Sequence, residues 1–237
     1  GSNVPTPKNA GAYSTTLGHF SDSLGDYAVA VGMYNTSRAT DTITMGVQND
    51  AKTMGGIAIG KNNMVDSTNG GRNDAETRNE NSQIAIGRDN TATHLDTIAI
   101  GRDTHATGSG ATAFGARADA SGNNSIAIGQ SGKTSPRVIA SGVNSIAIGM
   151  QSQTEGESGV ALGAGTRANG QYGVAVGHVA KANVTRGTAL GDVAEANIAE
   201  GVALGASSVT TTDKGVVGYN PSNPHERKYA PLTGNVQ

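Results

Sequence analysis

Histidine is the side chain most ready to act near neutral pH, as an acid, a base or a metal ligand. This chain of 237 residues carries five. His19, His94, His105, His178 and His225 never stand at a spacing that brings two imidazoles onto one metal ion. There is no cysteine, which removes thiolate ligands, thiol nucleophiles and disulfides together. None of the thirty-five glycines opens a helix that would cradle a phosphate. The nine-residue calcium-binding β-roll pattern is absent as well. Arg88-Asp89 and Arg102-Asp103 lie one repeat apart and would stack as a short surface charge ladder, an arrangement of small energetic weight. The reading is a chain with no catalytic site, no metal and no cofactor.

What recurs is apolar. Ile126-Ala127-Ile128-Gly129 has close copies ending at Gly60, Gly87, Gly101 and Gly149, and variants ending at Gly32, Gly163, Gly177 and Gly205. Looser copies end at Gly18, Gly46, Gly115, Gly191 and Gly218. The closing glycines follow one another at 14 residues except for two insertions and one single-residue deletion. A 14-residue unit is too short for the helix pairs of helical solenoids, and a glycine after each apolar block breaks helices. Each block reads as a short strand with alternating faces. A second strand follows, with small residues three and five positions after the glycine (Ala118 and Ala120, Thr166 and Ala168, Ala180 and Ala182, Ala194 and Ala196) and Asp119, Arg167, Lys181 or Glu195 between them. Gly108, Gly122, Gly156 and Gly170 mark a second turn, where glycine permits positive φ. One unit is then strand, turn, strand, turn: one coil of an all-β, parallel β-solenoid of about 14 coils, on the order of 65 Å long.

Alternation sends Ile126 and Ile128 to one face and Ala127 to the other. The expectation is that the large aliphatics fill the coil against the small residues of the second strand, and that the alanines point outward. That outward column holds Ala30, Ala58, Ala85, Ala99, Ala113, Ala127, Ala147, Ala161, Ala175, Ala189 and Ala203. A solvated wall would carry Thr, Lys or Glu there, so the stripe predicts packing against a second copy of the chain. Asn35, Asn49, Asn63 and Asn90, three positions after the glycine, are either a hydrogen-bonded stack or polar residues at a wet edge. Two polar insertions, within 61–83 and 130–145, fall between coils.

Composition sets limits. Two Phe, six Tyr and no Trp exclude a thick core, and a net charge of −2 gives no attraction to nucleic acid or anionic lipid. No apolar run reaches membrane length and no signal peptide is found. Gly1-Ser2 reads as a cloning scar, so targeting segments are expected outside this stretch.

With the period and Asn124-Ser125-Ile126-Ala127-Ile128-Gly129 in view, residues 12–218 resemble the YadA-like head of trimeric autotransporter adhesins of Gram-negative bacteria. The resemblance implies a left-handed parallel β-roll assembled as a homotrimer and displayed at the bacterial cell surface. The outer membrane would be reached only through an anchor beyond this segment. Residues 1–11 are expected to be a tail and 219–237, with Pro221, Pro224 and Pro231, the start of a connector. In that family the asparagine-serine-valine-alanine-isoleucine-glycine motif has been associated with collagen binding. Its full matches here, with Ile for Val, make Asn124, Ser125, Asn144 and Ser145 ligand-binding candidates, and the insertions add Arg72, Arg78, Lys133 and Arg137. The motif predicts a roll far better than a ligand. The functional expectation is a rigid rod giving multivalent attachment to collagen-, laminin- or fibronectin-type matrix proteins, cells or abiotic surfaces. A spacer without a ligand is the alternative. A trimeric left-handed β-helix enzyme would show a six-residue period, and an ice-binding solenoid an outward threonine array.

Overall fold

A strand of three to five residues needs neighbours on both sides to satisfy its N–H and C=O groups. The 14-residue period supplies them. In a computed structural model, which describes residues 8–66 and 82–211, each repeat contributes one strand to each of two parallel sheets of thirteen strands. The first wall begins at Thr15–His19, passes through Ile57–Lys61, Ile84–Arg88 and Ile126–Gln130, and ends at Val202–Leu204. The second begins at Lys8–Asn9, passes through Met64–Asp66 and Ala118–Ala120, and ends at Glu195–Ala196. Pairing keeps repeats in register: Ile84 opposes Ile98, Ala85 opposes Ala99 and Gly87 opposes Gly101. The described residues thus form a β-solenoid with no helix, a rod of roughly 60 Å at about 4.8 Å per coil.

The roll begins earlier than residue 12, because Lys8–Asn9 already pairs with Asp22–Ser23. The insertions are also tighter than expected. Lys61 and Met64–Asp66 belong to the walls, and so does Val138–Ala140. Residues 67–81, Gly218 and the connector from 219 lie outside the described residues.

The interior exchanges the expected faces. Ala30, Ala58, Ala85, Ala99, Ala113, Ala127, Ala147, Ala161, Ala175, Ala189 and Ala203 are all fully buried within a single chain, so they are not an exposed contact stripe. Across the lumen stand the inward residues of the second wall, among them Ala118, Ala120, Thr166, Ala168, Ala180, Ala182, Ala194 and Ala196, buried as the spacing predicts. Two turns consume so much of a 14-residue coil that the walls lie too close for a layer of isoleucines. Methyl groups from both sides fill the gap to the density of a protein interior. Among the described residues the largest fully buried side chains are Gln83, Val65, Val138 and the asparagines. The isoleucines therefore point outward, half-covered by their equivalents one coil above and below.

The turns explain the glycines in two ways. The closing glycines adopt φ from +108° at Gly205 to +151° at Gly129, and from Gly18 to Gly191 each backs onto the carbonyl of the next closing glycine. Gly108, Gly122, Gly156 and Gly170 do not adopt positive φ, contrary to expectation. They are needed because a Cβ would meet the carbonyl of the coil above. Left-handed backbone falls instead on two other columns, carried by Tyr27, Asp96, Asn124 and Asn144 at one edge and by Asp89, Asp103 and Arg117 at the other. Asn and Asp take this conformation at lower cost than most residues.

Candidate functional site

Among the described residues, the outward face of the first wall is a long apolar surface without a partner in the chain. One position before the closing glycine stand Leu17, Val31, Met45, Ile59, Ile86, Ile100, Phe114, Ile128, Ile148, Leu162, Val176, Leu190 and Leu204, without a polar interruption. Two positions earlier the column is Ile or Val except at Thr15, Thr112 and Thr188. Phe114 is 51% and Leu204 58% exposed. The second wall turns a different face to solvent, with Asp22, Asp50, His105, Asp119, Arg167, Lys181 and Glu195 outward. One face of the rod is apolar and the other carries most of the charge. Reading the alanines as outward hid this surface. The available signal was the Ile and Val content itself, since β-branched side chains favour a half-buried sheet face.

The motif residues divide. Asn124 and Asn144 are exposed, hold left-handed turns, and lie on neighbouring coils with Asn124 Nδ2 donating to Asn144 Oδ1 at 3.3 Å. Ser125 and Ser145 are fully buried, so neither touches a ligand, which corrects their place among the binding candidates. Their hydroxyls have no hydrogen-bond partner. Ala28 and Ala111 occupy the same coil position elsewhere. Ser125→Ala and Ser145→Ala are therefore expected to raise stability by about 1 kcal/mol each, the cost of an unpaired buried hydroxyl, with urea unfolding as the measurement.

The second insertion is folded down by two arginines. Arg117 Nη1 donates to the carbonyls of Gly132, Lys133 (2.8 Å) and Ser135 (2.9 Å). Arg137 follows the loop and donates to the Asp103 carbonyl at 2.8 Å and to its carboxylate at 2.9 Å. His105 Nε2 and Arg117 Nε each stand 3.5 Å from the same carboxylate. Burial alone would raise the Asp103 pKa. The Arg137 hydrogen bond and charge, aided by His105 and Arg117, outweigh it and hold the carboxyl below its ordinary value. Arg137 is thus half-buried and engaged, Lys133 is exposed, and Arg72 and Arg78 lie outside the described residues. Arg88 and Arg102 stack on adjacent strands as anticipated, and Arg88 pairs with its own neighbour Asp89 at 3.4 Å. Among the described residues no three His, Asp or Glu side chains converge as metal ligands.

Comparison with family models matches the YadA head domain repeat at residues 84–104, 106–131, 140–166 and 168–194. Residues 84–194 are a YadA-like head. A comparison with curated proteins gave no match. The coils before residue 84 share the same two sheets and register, Ile84 opposing Ile57, so the β-solenoid continues to the first described strand. The family is one of surface-exposed autotransporter adhesins.

Proposed function

We propose that this YadA-like head forms a homotrimeric rod at the bacterial cell surface and attaches the cell to host matrix proteins, cells or abiotic surfaces. The carrying observation is the predominantly apolar outward face of the first wall, in a chain whose own interior has no room for those side chains. Each half-exposed isoleucine or leucine withdrawn from water contributes roughly 1 kcal/mol. The two columns together then exceed the association cost of about 4–15 kcal/mol. Three apolar faces turned toward one axis leave the charged second walls outward, where a repeated surface gains avidity from many weak contacts.

Light scattering on the 237-residue chain is expected to give the mass of three chains, and the double variant Ile86→Lys with Ile100→Lys the mass of one. The parent is expected to adhere to surfaces coated with collagen, laminin or fibronectin, and the variant to lose most of that adhesion with its avidity. A stable parental monomer overturns the reading. A trimer that adheres to nothing is a spacer.

A further inference from the structure

One edge of the first wall carries charges that neither the interior nor the apolar face uses. Immediately after the closing glycine, Lys61, Arg88 and Arg102 are in-register neighbours on adjacent strands. Like charges directly opposite one another destabilise a sheet. The coils on either side place Val47 and Ala116 in this column. Arg88 has Asp89, but among the described residues no hydrogen bond or ion pair reaches the side chains of Lys61 and Arg102. The column beside it adds Arg117 and Arg137, which share the single acid Asp103, and Arg117 holds down the loop that presents Lys133. Among the described residues six cations thus face two carboxylates along five coils, about 20 Å of the rod, in a chain whose net charge is −2.

We propose that this edge binds a linear sulfated polysaccharide, with sulfates along Lys61, Arg88 and Arg102 and onward toward Lys133. A row of cations at the coil repeat suits an extended polyanion, and guanidinium forks grip oxyanions in a planar, two-bond geometry. Neutralising Lys61 and Arg102 also relieves the like-charge register. Nucleic acid fits less well. Single strands want aromatic platforms among the cations, whereas the stacked pairs Tyr13–Tyr27 and Phe20–Tyr34 lie on earlier coils. A flat wall has no element to enter a duplex groove. The inference rests on the attachment reading above and names a partner class for it.

Calorimetry with a heparin-derived octasaccharide and the 237-residue chain is the test. The parent is expected to bind it, and to ignore an unsulfated hyaluronan fragment of the same length. Lys61→Gln with Arg102→Gln should weaken binding about tenfold and flatten its salt dependence by the loss of about two charges. Lys181→Gln, on the second wall, should change nothing. The inference is overturned if the double variant binds as the parent does, or if a single-stranded oligonucleotide competes equally. It also fails if the double variant loses the parental mass in light scattering, because the column is then a subunit contact. A parent that adheres to matrix-coated surfaces but binds no octasaccharide refutes this inference alone. One that is monomeric and adheres to nothing refutes the attachment reading with it.

Discussion

Gly101→Ala is expected to remove about 4 kcal/mol or more of stability, enough to unfold the central coils of the rod at ordinary temperature. Gly101 has φ +144°, a region that L side chains rarely adopt. A Cβ there would fall on the Gly115 carbonyl oxygen and stand 2.6 Å from its carbon and 3.1 Å from the Gly115 nitrogen. The obstructing atoms are backbone, held by the pairing of Gly101 with Gly115, so they cannot move aside without opening the sheet. Gly165→Asn is the matched control. Its φ of +67° is the left-handed conformation that asparagine tolerates, and a Cβ meets only Val179, Cγ2 at 3.4 Å and Cα at 3.9 Å, ordinary contacts. The control should stay within about 1 kcal/mol of the parent. Thermal unfolding followed by circular dichroism separates the two. Equal midpoints for Gly101→Ala and the parent would mean that the glycine column is not under steric demand.

That demand is why the period was legible. A residue that must lack a Cβ in every coil writes itself into the sequence at a fixed spacing, whatever its neighbours do. Two strands per coil, parallel pairing and the small inward residues Ala118 and Ala120 follow from the period and the alternation. The side of the wall on which Ala127 lies does not. Ile-Ala-Ile alternates identically whichever face is buried, and what decides is the width of the lumen, a tertiary quantity set by two turns in fourteen residues. The clue lay across the coil, where small second-wall residues leave room for a methyl or for an isoleucine and nothing local chooses. Surface pairs show the same division. Lys181–Glu195 and Arg186–Glu200 are fourteen residues apart and follow from the repeat. Arg137–Asp103 does not, because the insertion carries Arg137 past one full coil into the column already occupied by Asp103 and Arg117. Ser125 and Ser145 were misplaced for a related reason: a polar residue beside an exposed turn asparagine reads as surface, yet it is the first inward position of the strand.

Asn63→Ala is expected to cost about 3–5 kcal/mol, and it decides whether the asparagine row is a buried stack or a wet edge. Asn63 is 1% exposed. Its Nδ2 donates to Asn49 Oδ1 at 2.9 Å and to the carbonyls of Ile59 and Gly87 at 3.0 Å. Its Oδ1 accepts from the Asn90 backbone N–H at 3.2 Å and from Asn90 Nδ2 at 2.9 Å. The side chain therefore joins its own coil to the coils before and after it. Truncation leaves two carbonyls and one backbone N–H in a space closed to water, each costing about 1–3 kcal/mol when unpaired. The row begins at Ser21, whose hydroxyl meets the Asn35 backbone N–H, and ends at Thr104, whose hydroxyl and N–H meet Asn90 Oδ1. Those ends define the intermediate variant. In Asn63→Thr the hydroxyl can still meet Asn49 Oδ1 as Thr104 meets Asn90, but it is too short to reach both carbonyls, so roughly half the loss should return. Asn183→Ala, which breaks an exposed asparagine pair with Asn197, supplies the solvent-side comparison and should cost less than about 0.5 kcal/mol. The order Asn63→Ala, Asn63→Thr, Asn183→Ala in urea midpoints is what a dry ladder requires. A wet edge would bring all three together near the parent, because water would replace each lost bond.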